Sequence, residues 1–466
     1  MSLDIKVVVK SLENIVGPEY VATEREICYV YSQDCSIEKG YIPDIIIRPN
    51  TTEEVSEVMK LANEYKVPIY PRGAAASLVL MGVPLKPHSL VMDLTRMNRI
   101  VEFDEESMSV TVETGITWGE LELALKEKGW YTGFIGPGPG YSSTIGGAIS
   151  VCSVYYGSAK YGTAADITLG LEVVLPTGEI IRTGSAALEK AKRHTRYGIG
   201  FDATGLFCGD QGILGVKTQA TLKLFPLPKA IGFFTFGYED LDTCHKALYQ
   251  MAALHIASDL GYVDQIKVPM GPRKYRYLIH GKIESHSDEE FTAQMNLFKE
   301  IAKKTNGEDL GPSLGKLLFG DMVYEYFPMA GAFGNYGATC NKVPIAQAKV
   351  LHEKFMALQE KYEEEIKKYN ILTVWYTFIS GSCIDILPQF QIPVDNPESL
   401  EFGRKIWKEF IDKEVREEGC IHYWLGKVIG DRVAECYQPS YYEFVKRIKS
   451  ALDPNRILNP GLLKLW

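Results

Sequence analysis

Three clusters of small residues, each placed after a strand-like segment, constrain the fold of this chain more than any other feature. The first follows VPIY and reads PRGAAASLVLMGVP over residues 71–84. The clusters themselves occupy residues 73–77, 136–147 and 205–215. Small side chains let the backbone approach a ligand closely and present N–H groups to phosphate oxygens. One such cluster is typical of ordinary turns, but three in one block favour a long phosphorylated ligand.

The residues around these clusters predict alternating strands and helices. Residues 44–70 indicate a strand, a helix and a second strand, with Thr51 or Thr52 as the helix N-cap. Strands are also expected in SLVMDL, IVEFD and SMSVTVETG, and the alternation from Met108 to Val112 predicts one buried face. The segment ITLGLEVVLPTGEIIRTG predicts a hairpin across PTGE. No GxGxxG opens a helix after the first strand and no GxxxxGK[ST] occurs, which excludes the usual dinucleotide and P-loop motifs.

Length and composition predict an ordinary globular protein with more than one domain. The chain has 466 residues, of which 46% are hydrophobic and 23% charged. Its net charge of -9 argues against a nucleic-acid partner. Nine cysteines without a CxxC pair favour reduced thiols and exclude the common iron–sulfur and zinc-ribbon spacings. With no secretory signal and no transmembrane run, we expect a cytoplasmic protein, and peripheral contact with a membrane is left open.

The second half of the chain has a different pattern of helical and strand-like segments. From about residue 226 to 415, helical segments such as CHKALYQMAALHIA alternate with strand-like segments such as KAIGFFTFGY and ILTVWYTFISGS. This pattern predicts an α+β domain with an antiparallel sheet. We therefore expect three segments: residues 1–225 in a first domain, residues 226–415 in a cap domain, and residues 416–466 returning to the first domain.

A series of motifs resembles the FAD-binding domain of the vanillyl-alcohol oxidase superfamily, also called the p-cresol methylhydroxylase type. The motifs are PDIIIRPNTTEEV, VPIYPRGAAASL, VMDLTRMNRI, TVETGITWGEL, SSTIGGAI, KYGTAADITLGLEVVLPTGEIIRTG, DATGLFCGDQGILGVKTQATLKLFP and ALDPNRILNPG. Within that superfamily, the chain most resembles the group of the glycolate oxidase D-subunit and D-lactate dehydrogenase. The resemblance implies an α+β fold of two domains, in which a cap with an antiparallel sheet covers the flavin ring.

The resemblance also implies which residues hold FAD. In the family, the first loop wraps the FAD pyrophosphate, and two further loops contact the flavin. The matching positions of the first loop are Arg72, Gly73, Ala74, Ala75, Ala76, Ser77 and Leu78. Those of the second are Ser142, Ser143, Thr144, Gly146 and Gly147. Those of the third are Gly209, Gly212, Ile213, Leu214, Gly215 and Val216, and the terminal motif adds Asn459. Members with covalent flavin carry a histidine in the first or second loop, and this chain has none there, so we expect noncovalent FAD.

Two elements of the glycolate and D-lactate group are missing or changed. The group usually carries an HxGDGN segment, which this chain lacks, so we expect no bound metal. The group's EHGIG element, counted back from ILNPG without a gap, falls on HYWLG, residues 422–426. The resemblance then places His422 and Tyr423 before the flavin ring, His422 as a candidate proton acceptor and Tyr423 as a partner for a substrate oxygen. The alternative that both pack at a domain interface is left open.

The resemblance implies a flavin-dependent enzyme that oxidises a small 2-hydroxy acid, of the D-lactate or glycolate type, by hydride transfer to N5 of FAD. Two alternatives stay open: an oxidase or dehydrogenase of 4-alkylphenols or aryl alcohols, and an electron-transfer subunit of a larger complex. The segment RYGIGFDATGLF resembles the phenol-oxidising branch. The electron acceptor is oxygen, a quinone, or a partner such as an iron–sulfur subunit or an electron-transfer flavoprotein. A homo-oligomer is also left open.

Overall fold

The computed structural model describes residues 5–265, 271–321 and 334–465. The α-helices are α1 Ile5–Val16, α2 Arg25–Val30, α3 Thr52–Tyr65, α4 Trp118–Lys126, α5 Ile145–Ser150, α6 Ser158–Tyr161, α7 Ala203–Phe207, α8 Leu241–Ala252, α9 Asp288–Lys304, α10 Ser313–Lys316, α11 Ala348–Lys361, α12 Glu363–Lys368, α13 Pro397–Asp412, α14 Gly426–Cys436 and α15 Pro439–Leu452. Short 3-10 or π turns occupy Pro18–Tyr20, Gly184–Ala187, Leu317–Asp321, Ile345–Gln347, Lys413–Glu417 and Leu462–Lys464.

The strands of the first half are β1 Val21–Ala22, β2 Ile45–Ile47, β3 Ile69–Arg72, β4 Leu90–Asp93, β5 Ile100–Asp104, β6 Ser109–Glu113, β7 Trp130–Tyr131, β8 Thr168–Val174, β9 Ile180–Arg182, β10 Val216–Lys223 and β11 Phe225–Pro226. Those of the second half are β12 Ala230–Tyr238, β13 Ala257–Asp264, β14 Tyr277–Ser285, β15 Glu308–Asp309, β16 Asn335–Ala338, β17 Asn341–Pro344, β18 Leu372–Ser380, β19 Cys383–Ile392 and β20 Ile421–His422.

The first half contains two main sheets. Strands β1, β2, β4 and β3 lie side by side in that order, with β2, β4 and β3 parallel. Helix α3 connects β2 to β3 and buries Val55, Val58 and Met59 against them, while the Thr51 side chain caps it by accepting the Glu54 N–H at 3.1 Å. The predicted strand–helix–strand unit is therefore confirmed, including its N-cap.

The second sheet of the first half is antiparallel, in the order β5, β6, β10, β8, β9. The hairpin expected across PTGE is present, because β8 pairs antiparallel with β9. The half-buried pattern expected around β6 is wrong: all five residues of Ser109–Glu113 are buried, and Met108 is 54% exposed. Ser109 and Thr111 are buried although they are polar, and the Thr111 hydroxyl is hydrogen-bonded to the hydroxyl of Thr221 on β10 at 2.9 Å.

The second half is built on one antiparallel sheet of nine strands. Eight strands follow the order β15, β12, β14, β13, β18, β19, β17, β20, and β16 also pairs with β19. The chain then returns to the first half: the Ile69 N–H donates to Ile457 O, and the Asn459 N–H donates to Ile69 O, both at 2.8 Å. The division at residues 225 and 415 stays a prediction, and β20 lies in the nine-stranded sheet although it follows residue 415.

Buried charges join the two halves. Asp259 on β13 accepts the Gly157 N–H at 2.7 Å and pairs with Lys282 on β14 at 3.0 Å. Lys282 also pairs with Glu284, and Glu284 accepts the hydroxyl of Tyr131 from the first half at 3.0 Å. Each charge in this cluster has a partner of opposite sign, and the attraction between the partners offsets the desolvation penalty of burying them. The contact holds the nine-stranded sheet over the first half.

Candidate functional site

A cavity lies between the three small-residue loops and the segment around Tyr423. It contains about 1000 Å³ of empty volume. Residues from several stretches that are far apart in sequence line it, namely Pro71, Arg72, Gly73, Ala74, Ala75, Ala76, Ser77, Met81, Gly82, Leu94, Thr114, Pro137, Ser143, Thr144, Gly146, Gly147, Ala148, Ser150, Val151, Gln211, Gly212, Gly215, Val216, Lys217, Tyr423, Trp424 and Asn459. We call this space the main cavity.

The first loop follows β3, and hydrogen bonds to residues 31–34 hold it in place at both ends. The Arg72 guanidinium donates to the carbonyls of Tyr31 and Gln33 at 3.0 and 3.2 Å. The Asp34 carboxylate accepts the Ser77 hydroxyl at 2.9 Å and the Leu80 N–H at 2.7 Å. Between these two anchors, the loop passes along the wall of the main cavity.

The backbone of this loop offers hydrogen-bond donors to the cavity. Within the described ranges, the N–H groups of residues 73–77 donate no hydrogen bond to protein, and all five residues line the main cavity. Ala75 has φ of 51°, the left-handed conformation that alternates with ordinary ones in anion-binding backbone turns. Five N–H groups without protein acceptors at the edge of a cavity fit the phosphate oxygens of a dinucleotide.

The second loop is packed too closely for larger side chains. The Gly146 N–H donates to Thr114 O at 2.8 Å, and a Cβ added at Gly146 would lie 2.8 Å from the Cβ of Thr114. Thr144 precedes α5 as its N-cap residue. These contacts explain why glycines stand at positions 146 and 147, and they bring the start of α5 against the main cavity.

The third loop is held by a buried ion pair. Asp210 and Lys217 are in contact at 2.6 Å with side chains that are almost fully buried, and Asp210 also accepts the N–H groups of Gly212 and Leu214. Gln211 connects this loop to two distant segments: its side chain donates to Tyr423 O at 3.1 Å, and its carbonyl accepts the Asn459 amide at 2.9 Å. Asn459 and Tyr423 are therefore placed at the cavity by the same residue.

Most of the predicted binding residues reach the main cavity, and a few do not. Leu78 lies in a smaller pocket beside it, and Ser142 is exposed. Gly209 packs against Cys152, and Ile213 and Leu214 are buried in the core behind the loop. The direct contacts predicted for these residues with a cofactor stay predictions. Sequence reasoning missed Gln211, Lys217, Trp424 and Thr114 as cavity residues. The first three had a signal, because each lies next to a residue already singled out.

His422 lies outside both cavities. Its side chain is 0% exposed, its two ring nitrogens have no hydrogen-bond partner among the described residues, and Nε2 is 3.9 Å from Oε2 of Glu414. Burial lowers the pKa of His422 to about 3 and raises the pKa of Glu414 to about 8. Both groups are therefore neutral at pH 7, and the structure shows no route from His422 to a ligand in the main cavity. The role of His422 as a proton acceptor stays a prediction without support from this geometry.

Tyr423 lies at the boundary of two cavities, and its predicted place before the flavin ring stays a prediction. It lines both the main cavity and the smaller pocket, and no hydrogen bond engages its hydroxyl in the part of the chain that the structure describes. The smaller pocket holds about 380 Å³ of empty volume. Its walls are Leu78, Pro137, Gly138, Tyr155, Tyr336, Phe378, Leu387, Gln389, Tyr423 and Trp424. We call it the aromatic pocket; Pro137, Tyr423 and Trp424 separate it from the main cavity.

Within the described ranges, no group of three or more His, Cys, Asp or Glu residues has an arrangement that could hold a metal ion. No helix within the same ranges is both long and apolar enough to cross a membrane.

Both halves of the chain match known protein families. The family described as "FAD binding domain" matches residues 43–184, and the family described as "FAD linked oxidases, C-terminal domain" matches residues 282–463. Glycolate oxidase subunit GlcD of Bacillus subtilis is 27% identical over 98% of this chain and 96% of its own length. The mitochondrial D-lactate dehydrogenase (cytochrome) of Arabidopsis thaliana is 33% identical over 91% of this chain and 73% of its own length.

Solved structures show the same fold at lower sequence identity. p-Cresol methylhydroxylase with bound substrate superposes with a TM-score of 0.84 and 19% identity, covering 100% of this chain and 98% of that one. A 4-ethylphenol oxidase from Gulosibacter chungangensis gives a TM-score of 0.81 and 20% identity over the same shares. The fold, the two matched domains and the relatives agree: the chain belongs to the FAD-linked oxidases and dehydrogenases that have the two-domain p-cresol methylhydroxylase fold, and its cofactor is FAD.

Proposed function

We propose that this protein oxidises a small 2-hydroxy acid of the D-lactate or glycolate type, bound in the aromatic pocket, with FAD held in the main cavity. The observation that carries the proposal is the contact between the two spaces through Tyr423 and Trp424. FAD supplies the hydride acceptor, N5 of its ring. The names of the sequence relatives, which include glycolate oxidase and D-lactate dehydrogenase, support this class of substrate.

The residues of this chain would bind and orient both molecules. The free N–H groups of the first loop would hold the pyrophosphate, and the second and third loops would close around the rest of the cofactor. The walls of the aromatic pocket exclude water from the reacting carbon, since eight of the ten residues that line it are apolar or aromatic. The Tyr423 hydroxyl, at the boundary, is suited to hydrogen-bond the substrate oxygen.

An anaerobic substrate panel tests the proposal. The purified holoprotein is mixed with D-lactate, L-lactate, glycolate, a 4-alkylphenol or an aryl alcohol, and reduction of bound flavin is followed by loss of its visible absorbance. We expect D-lactate or glycolate to reduce the flavin within seconds. If only the phenol reduces the flavin, the substrate is an aromatic compound and not a 2-hydroxy acid. If no compound reduces the flavin, the result favours an electron-transfer subunit.

A second substrate class, 4-alkylphenols and aryl alcohols, is favoured by the composition of the pocket. Five of its ten lining residues are aromatic, namely Tyr155, Tyr336, Phe378, Tyr423 and Trp424. No Lys, Arg or His stands among these lining residues to bind a carboxylate, as far as the described ranges extend. Aromatic side chains bind aromatic rings through offset and edge-to-face contacts. The panel separates the two classes directly, because both are tested on the same preparation.

For the electron acceptor we propose a quinone or a partner protein, with oxygen as the alternative. Reoxidation of the reduced protein by air, by a soluble quinone and by an electron-transfer flavoprotein, compared under the same conditions, decides among them. Fast reoxidation by air alone would identify an oxidase.

A further inference from the structure

Part of the wall between the two cavities is a short connection that belongs to no strand or helix. It consists of residues 423–425, between β20, which ends at His422, and α14, which begins at Gly426. Tyr423 and Trp424 line both the main cavity and the aromatic pocket. Because no strand or helix fixes residues 423–425, their position depends on contacts from elsewhere in the chain.

The Gln211 side chain holds this connection at two points. Its Nε2 donates to Tyr423 O at 3.1 Å, and its Oε1 accepts the Leu425 N–H, also at 3.1 Å. These two bonds lie on either side of Trp424 along the chain, as the bonds from a neighbouring strand do. Gln211 is 4% exposed, so water competes little for either bond. The backbone on both sides of Trp424 is therefore fixed by one side chain.

Gln211 is itself held in place by contacts of its backbone. The Gln211 N–H donates to Ser150 O at 2.8 Å, and the Gln211 carbonyl accepts the Asn459 amide at 2.9 Å. Its φ of 55° is left-handed, a conformation that a residue other than glycine keeps only where its surroundings enforce it. Gln211 also lines the main cavity. It therefore connects the FAD site to the wall of the aromatic pocket.

The connection presents two hydrogen-bond donors where the cavities meet. Trp424 is 7% exposed, and its Nε1 has no hydrogen-bond acceptor among the residues that the structure describes. Burial raises the pKa of Tyr423 well above its ordinary value, so its hydroxyl keeps its proton at neutral pH and is able to donate. Buried donors of this kind are suited to oxygen atoms of a bound molecule. Their usefulness depends on where the backbone of residues 423–425 places them.

We propose that Gln211 is a positioning residue for the proposed oxidation: its amide fixes Tyr423 and Trp424 where they orient the substrate toward the flavin. Gln211 acts through the backbone of residues 423–425 and not on the reacting atoms. Because it belongs to the third loop, the conformation of that loop around FAD and the shape of the aromatic pocket are set together. This inference rests on the proposed oxidation of a hydroxylated substrate.

The first test follows anaerobic flavin reduction in the holoprotein by increasing concentrations of D-lactate, or of the compound in the panel above that reduces the wild-type flavin. Gln211→Met removes both amide bonds at nearly constant volume. We expect this variant to retain FAD and to lower the limiting rate about 10²-fold, the effect of displacing a reacting group by about 1 Å. The dissociation constant for the substrate should rise less, by up to about 10-fold.

Gln219→Met is the matched control for this substitution. Gln219 lies on β10, its side chain accepts from Arg193 at 2.7 Å, and it lines neither the main cavity nor the aromatic pocket. The control should change neither the limiting rate nor the dissociation constant.

Gln211→Glu gives a second readout, which a contact that only stabilises the fold would not produce. A protonated glutamic acid donates to Tyr423 O and accepts the Leu425 N–H as glutamine does, whereas a carboxylate has no proton for the Tyr423 carbonyl. Burial at this position favours the protonated form. The ratio of the variant rate to the wild-type rate should therefore be close to one at pH 5 and about 10-fold lower at pH 9.

An unchanged limiting rate in Gln211→Met with FAD bound would overturn the inference, and so would a rate ratio for Gln211→Glu that does not change with pH. If both variants lose FAD at every pH, Gln211 is a ligand of the cofactor and not a positioning residue. Failure of every hydroxylated compound to reduce the wild-type flavin would instead overturn the proposed function, and the inference with it.

Discussion

At the scale of single residues, small side chains and burial decide what this site can do. The first loop exposes its backbone because Gly73 and three alanines leave nothing in front of the N–H groups. Burial, in contrast, changes the protonation of side chains: it removes the charge from His422 and Glu414 at pH 7 and raises the pKa of Asp385 to about 6. The first effect is visible in sequence, and the second is not.

Ala75→Asp should weaken the binding of FAD. Ala75 lines the main cavity in a left-handed conformation, so the new carboxylate would face the pyrophosphate and repel it in a poorly solvated loop. We expect binding on the order of 100-fold weaker, equal to about 2.7 kcal/mol, and purification largely as apoprotein. Ala75→Gly is the control, because glycine accepts a positive φ without strain and should keep full occupancy. The ratio of flavin to protein absorbance measures both, and full occupancy in the aspartate variant would show that this loop does not contact the cofactor.

Glu414→Gln should change how stability depends on pH. Thr339 and Asn341 donate to Oε1 of Glu414, and burial raises its pKa to about 8, so the folded state holds a proton that the unfolded state releases near its ordinary pKa of 4.5. The free energy of unfolding therefore falls as pH rises through this window, by up to about 1.4 kcal/mol per pH unit. Glutamine keeps both acceptor contacts without ionising.

Urea unfolding at pH 5, 6, 7 and 8 measures this effect. The variant should be close to wild type at pH 5 and more stable at pH 8. Glu417→Gln, at a half-exposed glutamate in the same turn, should leave the wild-type pH dependence nearly unchanged. If the free energy of unfolding depends on pH in the same way for wild type and Glu414→Gln, Glu414 ionises normally in the folded protein.

At the scale of elements, the site depends on segments that are far apart in sequence and are fixed by buried polar contacts. Helix α15 is an example. Its residue Lys449 is fully buried and pairs with Asp453 at 2.6 Å, and it also donates to Ile213 O at 2.8 Å and Leu458 O at 2.7 Å. One ammonium group thus ties the C-terminal segment to the third loop of the main cavity.

Lys449→Met should destabilise the protein and loosen FAD. It leaves Asp453 buried without its cation, which costs about 3–5 kcal/mol. Lys446→Met is the control, because Lys446 lies one turn earlier on α15 and pairs with Glu443 at the surface, where solvent screening leaves an ion pair little effect on stability. Chemical unfolding gives the stability of both variants, and the flavin content after gel filtration gives FAD retention. A Lys449→Met variant as stable as the control would show that the pair does not hold the C-terminal segment.

At the scale of the whole molecule, the two halves together form the walls of two adjoining cavities. The first half contributes the three loops, the nine-stranded sheet contributes the pocket roof, and residues 457–459 return to pair beside β3. The buried cluster of Asp259, Lys282 and Glu284 fixes the halves against each other. FAD binds between loops that are far apart in sequence. The fraction of protein that retains FAD therefore measures whether the two halves are correctly assembled.

FAD should be released when this assembly is lost. The residues lining the main cavity in the described ranges include no His, the residue that the family resemblance gives for a covalent flavin link. Heat or acid denaturation should therefore leave yellow FAD in the supernatant after the protein is removed. The absorbance of supernatant and pellet measures this, with free FAD added to apoprotein as the recovery control. Colour that stays with the precipitated protein would demonstrate a covalent link.

The sequence alone determined the parts of this protein that depend on local chemistry. The first loop, the glycines of the second, the Thr51 cap and the β8–β9 hairpin were all predicted, because close backbone approach, capping and tight turns each demand particular residues within a few positions. The FAD family followed from the same local motifs. These features needed no knowledge of distant contacts.

Only the tertiary structure decided which polar residues meet and which are shielded. His422 and Tyr423 are neighbours in sequence, yet the first is buried against Glu414 and the second stands between the two cavities, because adjacent residues of an extended segment point to opposite sides. Gln211 reaches the cavity through contacts with Tyr423 and Asn459, more than 200 residues away. Asp385 and Lys342 come together only through the register of β17 and β19. Register and burial depend on the packing of the whole sheet, and no local pattern in the chain encodes them.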